Sequence, residues 1–323
     1  MNVKKRYLIE RKREGRGIYL LPLLFFFCFI PLYMSQYSER EKETLMLDST
    51  PGQVWIMQKR IWGNYKVAME EYLIGMMAAT IPGEYEMETL KAQAILLRSF
   101  CLSQMVKEDG KKVVHDDILK EYYVNEKQRN DLWQDKTREY ENKVRQAVNE
   151  TKGMFLVCQG DIINPPFFRL SNGVTRDVTE YVLTKSKYPY MKSVVCGKDV
   201  MAEDYIQYVE MKDKEFEKQI KKLPGKKVGK IKKLILYKDE NGYVKEVEIN
   251  GEKIKGETFR EVFQLASSSF TLQKIDSVVE IQTKGIGHGF GFSQWEANCL
   301  AKEGKTYEDL LQHFYQNISL EKI

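Results

Sequence analysis

The sequence predicts an α+β protein in which mixed antiparallel strands and several helices form a cleft, with one transmembrane helix at the N-terminus. An uncharged apolar run follows a basic start. Segments in which polar and apolar residues alternate, as in strands, then follow one another along the chain with segments in which apolar residues recur at helical spacing. Two Asn-Gly pairs separate strand-like runs, and such pairs favour hairpin turns. We divide the chain into a basic tail (1–17), an anchor (18–34), a tether (35–50) and an extracytoplasmic domain (51–323).

The apolar run from Ile18 to Met34 lies at the short end of what spans a hydrocarbon core of about 30 Å. Seven Lys or Arg and two Glu precede it in residues 1–17. The positive-inside rule places this tail in the cytoplasm and the domain outside, which predicts a single-pass protein of the cell membrane. A cleaved signal peptide is the alternative. We favour a retained anchor because no small-x-small cleavage site follows Met34.

The net charge of +5 belongs to the tail, because the other 306 residues carry 44 basic and 44 acidic side chains. A neutral domain lacks the general attraction to phosphate that drives most nucleic-acid binding. Nucleic acid is therefore excluded as a main partner.

The sequence has five cysteines, Cys28 in the anchor and Cys101, Cys158, Cys196 and Cys299 in the domain. There is no CxxC pair and no Cys/His cluster, so we predict no metal site. In an exported protein the last four could form disulfides with three connectivities, or remain free thiols.

In the first part of the domain, the spacing of apolar residues predicts strands over Val54–Val67 and a helix from about Glu70 to Met77. It predicts a second helix from near Glu86 to Val106. The second helix places four residues at helical spacing, Leu90, Ala94, Leu97 and Cys101.

A charged helix is predicted between about Lys127 and Thr151, ended by Gly153 and followed by a strand-like stretch. The stretch from Lys218 to Lys233 holds eight lysines and no acid. We interpret it as a solvated helix end and loop, with contact to acidic wall polymers or a membrane surface as the alternative. Residues 234–256 predict hairpins that turn at Asn241–Gly242 and Asn250–Gly251.

Three separated stretches carry motifs. They read MEEYLIGMMAATIPGEYEMETLKAQAILLRSF (69–100), FFRLSNGVTRDVTEYV with YPYMKSV (167–194), and TKGIGHGFGFSQWEANCLAKEGKTYEDLLQHFY (283–315). In this order and spacing they resemble the SpoIID/LytB domain family of stage II sporulation protein D, over residues 51–323. The first resembles the family's L-K-A-Q-A signature, the second its S-N/G-G-x-T loop, and the third its G-x-G-H-G-x-G-x-S-Q ending.

The resemblance implies a protein that binds or remodels the glycan strands of peptidoglycan during sporulation, in engulfment. Family members are taken to be lytic transglycosylases, which leave a 1,6-anhydro sugar. One glutamic acid serves this reaction by protonating the leaving oxygen and then removing a proton from the C6 hydroxyl. No metal or redox cofactor is required. Implied partners are glycan strands, a peptidoglycan amidase-endopeptidase and other sporulation membrane proteins.

The resemblance places the acid in an A-x-E-M-P turn, and here residues 78–82 read AATIP, with Thr80 at its position. A hydroxyl supplies no proton at the required driving force, and general-acid help is worth roughly 10²–10⁴-fold. Glu84 is the alternative acid if the turn is reshaped. Glu71 and Glu88 are weaker candidates with structural roles.

Candidate binding residues come from the third stretch, where glycines alternate with polar groups. They are Gly287, His288, Gly289, Gly291, Ser293 and Gln294, with Gly285 preceding them. A glycine-lined wall with a few donors and acceptors fits a glycan groove. The alternative is tight packing around a hydrogen-bonded histidine. The family resemblance favours the groove.

Further candidates are Thr80 itself, Arg98, and the polar loop Ser171, Asn172, Gly173 and Thr175. The loop follows an apolar strand, where binding groups often lie, but Asn-Gly also forms ordinary turns. Arg98 and Lys91 share one helical face, so Arg98 is either a buried cation that orients a carboxylate or amide, or part of a surface ion pair. Arg169 and Glu296 depart from the family pattern.

Three functions follow from these residues. The first is a glycan-cleaving enzyme that uses Glu84, and the second is a glycan-binding protein that has lost the acid. The third is a membrane protein that recruits a wall hydrolase through a helical face. The first two require that the backbone near residue 288 and the bend near residue 80 face one another across a sugar-sized channel.

Overall fold

The computed structural model describes residues 54–60, 63–107, 113–117, 119, 122–178, 188–224 and 231–323. The predicted basic tail, anchor and tether lie outside these residues. Among the helices that the structure describes, none is both long enough and apolar enough to cross a bilayer.

The described residues have an α+β architecture, as predicted. The helices are α1 (Met69–Thr80), α2 (Met87–Lys107), α3 (Glu126–Trp133), α4 (Thr137–Glu150), α5 (Asp213–Ile220), α6 (Gly256–Val262), α7 (Gln294–Lys302) and α8 (Tyr307–Phe314). The strands are β1 (Trp55–Arg60), β2 (Gly63–Ala68), β3 (Val113–His115), β4 (Met154–Cys158), β5 (Asp161–Ile162), β6 (Phe167–Phe168), β7 (Ile206–Lys212), β8 (Leu234–Lys238), β9 (Val244–Ile249), β10 (Glu252–Lys255), β11 (Phe270–Ile275), β12 (Val278–Lys284), β13 (Phe292–Ser293) and β14 (Ile318–Lys322).

The first part of the domain has the predicted strands and two helices. Strands β1 and β2 pair antiparallel, and β3 joins β1 in parallel. Helix α1 ends at a bend because Pro82 favours extended backbone at Ile81, which caps the helix in the β region. Helices α1, α2 and α4 enclose one apolar core that includes the fully buried Leu73 and Leu97.

The prediction of one continuous helix over residues 127–151 is wrong, because the chain forms α3 and α4 with a short 3₁₀ turn between them. Trp133 turns into the core and packs edge-on against Tyr140, with ring centroids 6.1 Å apart. The next residue, Gln134, takes a positive φ of 50° and redirects the chain. The free energy gained by burying Trp133 therefore outweighs the preference of this segment for one continuous helix.

The second part of the domain holds the predicted hairpins. Strands β8, β9 and β10 pair antiparallel and turn near Asn241–Gly242 and Asn250–Gly251, as predicted. A second antiparallel sheet has the order β11-β12-β7. Helix α6 contributes Phe259, which stacks on Phe270 of β11 at 5.4 Å and joins these sheets in one core.

Strand pairing brings the end of the domain back to its first helices. Strand β4 pairs with both β14 and β5, and β13 pairs in parallel with β6. The β6–β13 pair fixes the glycine-rich segment (285–291) just before α7. Helices α7 and α8 then pack against α2. The four cysteines of the described residues are free thiols.

Candidate functional site

The bend between α1 and α2 begins at Thr80, which is 9% exposed. Its hydroxyl donates a hydrogen bond of 2.8 Å to the carbonyl of Met76. The amide of Ile81 closes the last helical turn on Met77 at 3.0 Å. The Thr80 side chain is therefore held inside its own helix.

The first residue of α7 contacts this bend directly. The side-chain amide of Gln294 donates 2.8 Å to the carbonyl of Thr80 and 3.2 Å to Oε1 of Gln93 on α2. Gln294 is 3% exposed, so both bonds are shielded from water. We call Thr80, Tyr85, Gln93, Gln294 and Trp295 the bend junction.

Three polar atoms of the bend junction are buried and have no hydrogen-bond partner among the described residues. They are Tyr85 Oη, Gln93 Nε2 and Trp295 Nε1. The rings of Tyr85 and Trp295 meet edge-on with centroids 6.5 Å apart. Each unpaired buried group costs about 1–3 kcal/mol, so a cluster of three calls for an explanation.

Arg169 brings a positive charge to the edge of the bend junction. Its carbonyl accepts a hydrogen bond of 3.1 Å from the backbone amide of Trp295. Its guanidinium pairs with Asp204 at 3.0 Å, and both side chains are more than one-third exposed. Burial raises the pKa of Tyr85, while the Arg169 charge acts to lower it. A cation therefore lies near the unpaired hydroxyl.

The alternating glycines are in close contact with the protein itself. All four have positive φ, and a Cβ at each would lie closer than 3.0 Å to other atoms. The nearest contacts are Gly285 with Leu170, Gly287 with Phe168, Gly289 with Tyr243 and Gly291 with Pro166. Tight packing thus accounts for the absence of side chains here, and a glycan contact by this backbone stays a prediction.

His288 is half-buried between aromatic rings, 5.6 Å from that of Phe168 and 6.0 Å from that of Phe290. Its Nδ1 accepts a hydrogen bond of 3.0 Å from the Phe290 amide. Burial lowers the pKa of His288 to about 4, with Glu257 acting in the opposite direction. The imidazole is therefore neutral at physiological pH.

The polar loop from Ser171 to Thr175 is held by internal bonds. Ser171 accepts from the Gly173 amide, and Thr175 accepts from the amide of Val194. Asn172 donates to Asn241 at 2.8 Å, whereas its Oδ1 is buried without a partner among the described residues. These bonds hold the loop in place and leave Asn172 Oδ1 as an acceptor without a partner among the described residues.

Comparison with known proteins places these segments in a family. The model of the SpoIID family, described as stage II sporulation protein, matches residues 57–158. Stage II sporulation protein D of Bacillus amyloliquefaciens is 32% identical over 261 residues, covering 79% of this chain and 74% of the relative. The chain belongs to the SpoIID family.

Two further relatives are similar to the chain. Stage II sporulation protein D of Bacillus subtilis (strain 168) is 31% identical over 261 residues, which cover 79% of this chain and 74% of the relative. An uncharacterized protein of Brachyspira hyodysenteriae is 25% identical over 259 residues, which cover 78% of this chain and 66% of the relative.

SpoIID signature residues bond to one another in this chain. Gln93 belongs to the L-K-A-Q-A signature and Gln294 to the S-Q ending, and they meet side chain to side chain. Ser293, beside Gln294, is fully buried and donates 2.7 Å to Asp199. The bend and the C-terminal signature therefore lie on the same side of the domain.

Glu84, the alternative acid, is exposed on the bend. Its carbonyl accepts 3.1 Å from Lys143 on α4, and a Cβ at the adjacent Gly83 would lie 2.6 Å from the Tyr140 ring. The backbone of Gly83 and Glu84 thus contacts α4, whereas Thr80 and Tyr85 contact α7.

Arg98 is fully buried and forms a two-pronged ion pair with Glu70, at 2.9 and 2.7 Å. It also donates to the carbonyls of Met154 and Val148. Lys91 pairs with Glu88 and Glu150. Arg98 thus forms an ion pair that is buried and not at the surface as the alternative predicted, and its contact with substrate stays a prediction.

Sequence reasoning missed Tyr85, Gln93 and Trp295, although all three lie inside the quoted motifs. Their significance comes from being unpaired and buried together, which no local pattern encodes. A signal was available in Gln93, because a polar side chain within an apolar helical run needs a partner when it is buried.

Proposed function

We propose that this SpoIID-family chain acts in sporulation as a membrane-anchored protein that binds the glycan strands of peptidoglycan without cleaving them by the single-acid route. The observation that carries binding is the cluster of unpaired polar atoms at the bend junction. Tyr85 Oη, Gln93 Nε2 and Trp295 Nε1 are shielded from solvent, so this hydroxyl and these two N–H donors reach a glycan once the bend junction opens. Sugar hydroxyl, acetamido and lactyl carboxylate oxygens are matching acceptors.

The environment of these atoms suits a saccharide. Tyr85 and Trp295 add aromatic surface beside the donors, which favours the apolar faces of sugar rings. Arg169 at the edge supplies a cation for the carboxylate of a muramic acid residue. This chemistry favours a polymer that carries both amides and carboxylates.

The absence of cleavage by this route follows from Thr80. The residue offers only a hydroxyl, and that hydroxyl donates to Met76 inside α1. Glu84 is exposed, and its backbone contacts α4. An acid for this reaction needs to reach the glycosidic oxygen within about 3 Å. Cleavage by Glu84 would require the bend to be reshaped.

The test uses the full-length chain in mild detergent and pull-down by glycan strands stripped of stem peptides. Tyr85→Phe removes the unpaired hydroxyl and keeps its ring, and Trp295→Phe removes the unpaired N–H and replaces the indole with a smaller aromatic ring. We expect each to weaken binding by about two- to tenfold, the range of one net hydrogen bond. Tyr85→Phe should leave the melting temperature unchanged, whereas Trp295→Phe should lower it because the smaller ring leaves a cavity beside the core.

Tyr72→Phe is the matched control. Tyr72 also has a buried hydroxyl without a partner among the described residues, but it stacks on Tyr123 at 4.3 Å, away from the bend junction. Glycan binding that is unchanged by Tyr85→Phe and Trp295→Phe would overturn the binding proposal. A peptidoglycan amidase-endopeptidase that is captured equally by all variants would then favour the recruiting function.

A further inference from the structure

Three buried side chains from two distant parts of the sequence converge next to the polar loop. Cys196 and Asp199 lie at a turn after the Y-P-Y-M-K-S-V segment, and Glu296 lies in the first turn of α7. One potential ligand atom from each lies within 4.8 Å of the other two. Cys196 and Asp199 are fully buried, and Glu296 is 5% exposed.

The hydrogen bonds of the two carboxylates leave Asp199 incompletely paired. Asp199 Oδ2 accepts from the amide of Ser171 at 2.8 Å and from the hydroxyl of Ser293 at 2.7 Å. Asp199 Oδ1 is buried and has no partner among the described residues. A buried carboxylate oxygen without a donor is costly, and it points to a missing cation or proton.

Glu296 is already oriented for a shared ligand. Its Oε2 accepts from the backbone amides of Lys198 at 2.7 Å and Asp199 at 3.2 Å. These bonds fix the carboxylate against the turn that carries Cys196. Lys198 also forms an ion pair with Glu303, the residue that follows α7, which ties the same turn to the end of that helix. Such outer bonds are typical of the support behind metal ligands.

We propose that Cys196, Asp199 and Glu296 bind a divalent transition metal ion, with Zn²⁺ as the favoured ion. A thiolate with two carboxylates selects such metals over Mg²⁺ and Ca²⁺, which take oxygen ligands. Ligand atoms around tetrahedral zinc are about 3.3–3.7 Å apart, given bond lengths of 2.0–2.3 Å, so small side-chain rotations close the site.

Metal binding accounts for the buried acids. Asp199 and Glu296 are buried close to one another, and Asp199 Oδ1 has no partner among the described residues. A dication stabilises both carboxylates in their charged form and displaces the thiol proton of Cys196. The site would fix the 196–201 turn to α7 close to the bend junction. This structural role does not depend on glycan binding.

The test is a Co²⁺ titration of the reduced, chelator-stripped full-length chain in mild detergent. We expect one Co²⁺ per chain, a near-ultraviolet thiolate-to-cobalt absorption band and displacement by Zn²⁺. Cys196→Ser should abolish the band. Glu296→Gln and Asp199→Asn keep oxygen acceptors for the existing hydrogen bonds and should weaken binding by more than about tenfold.

Cys158→Ala is the control, because this buried thiol lies on β4 and outside the cluster. It should leave the Co²⁺ band and stoichiometry unchanged. The proposal is overturned if the wild type binds no Co²⁺ at one equivalent, or if the band survives in Cys196→Ser. It is equally overturned if Glu296→Gln and Asp199→Asn bind Co²⁺ as tightly as the wild type, the outcome expected of two carboxyls that share a proton.

Discussion

The side-chain amide of Gln294 donates a hydrogen bond of 2.8 Å to the carbonyl of Thr80, 214 residues earlier in the chain. This bond satisfies a carbonyl at the end of α1, where four carbonyls lack helical partners. It also joins the first and last SpoIID signatures. The geometry of the bend junction therefore depends on one glutamine.

Gln294→Ala should lower the free energy of unfolding by about 1–3 kcal/mol, because it removes the donor to the Thr80 carbonyl and to Gln93 Oε1. Chemical denaturation of the full-length chain measures the change. Gln312→Ala on the exposed side of α8 is the control and should cost much less. Equal effects would argue that the Thr80 carbonyl finds another donor.

Gly289→Ala should destabilise the protein more than Gly160→Ala does. Both glycines have similar positive φ, 83° and 88°, so both substitutions carry a backbone cost of about 1–2 kcal/mol. Only at Gly289 does the new Cβ meet other atoms, 2.5 Å from the Tyr243 ring, whereas Gly160 faces open space. Overpacking should add about 1–3 kcal/mol.

The comparison is made by thermal and urea unfolding of the two variants. Equal losses would show that the glycine-rich segment needs its backbone conformation alone. A loss at Gly289 that exceeds the loss at Gly160 supports the packing interpretation of this motif.

His288 should make the fold sensitive to acid. Its pKa is lowered to about 4 in the fold from an ordinary value of 6.5, because burial disfavours the cation. The unfolded chain therefore takes up the proton first, and stability falls as the pH drops from about 6.5 through 4. Above pH 7 the imidazole is neutral in both states, and this contribution is fully present.

His288→Asn should flatten that acid dependence, since Asn Oδ1 keeps an acceptor for the Phe290 amide without a titrating group. We expect the unfolding free energy of the wild type minus that of the variant to fall by on the order of 2–3 kcal/mol between pH 7.5 and pH 4. Unfolding free energies measured across this range test it. A constant difference at all pH values would contradict the assignment.

The local elements were predictable from sequence because their causes are local. Pro82 ends α1, and the Asn241–Gly242 pair turns the β8–β9 hairpin. The division between α3 and α4 was not predicted, since it follows from where Trp133 finds a buried contact. Helical spacing carries no information on that choice.

The site was predictable only in part for a similar reason. The motifs predicted that the backbone near residue 288 and the bend near residue 80 face one another across a channel; the contact that the structure shows is made by Gln294, which bonds directly to the Thr80 carbonyl. Which of their atoms remain unpaired depends on the tertiary arrangement, so Tyr85 and Trp295 were missed. Cys196 and Glu296 lie about 100 residues apart, and the usual search for closely spaced metal ligands does not find such a pair.

Thr80→Glu is the substitution that decides between a lost and a relocated acid. The position is 9% exposed, and burial raises the pKa of a carboxyl, as a general acid requires. Full-length chain incubated with stem-peptide-free glycan should release no anhydromuramic product as wild type. Thr80→Glu should release it, with a gain within the roughly 10²–10⁴-fold that general-acid catalysis supplies.

Glu84→Gln, made both in the wild type and in Thr80→Glu, completes this experiment. If Glu84 is only an exposed residue of the bend, Thr80→Glu cleaves equally well with and without it, because the carboxyl at position 80 then supplies the acid alone. Cleavage by the wild type that disappears in Glu84→Gln would instead establish the relocated acid and overturn a function limited to binding. The same glycan strands serve in the pull-down, so loss of binding and loss of cleavage are measured on one substrate.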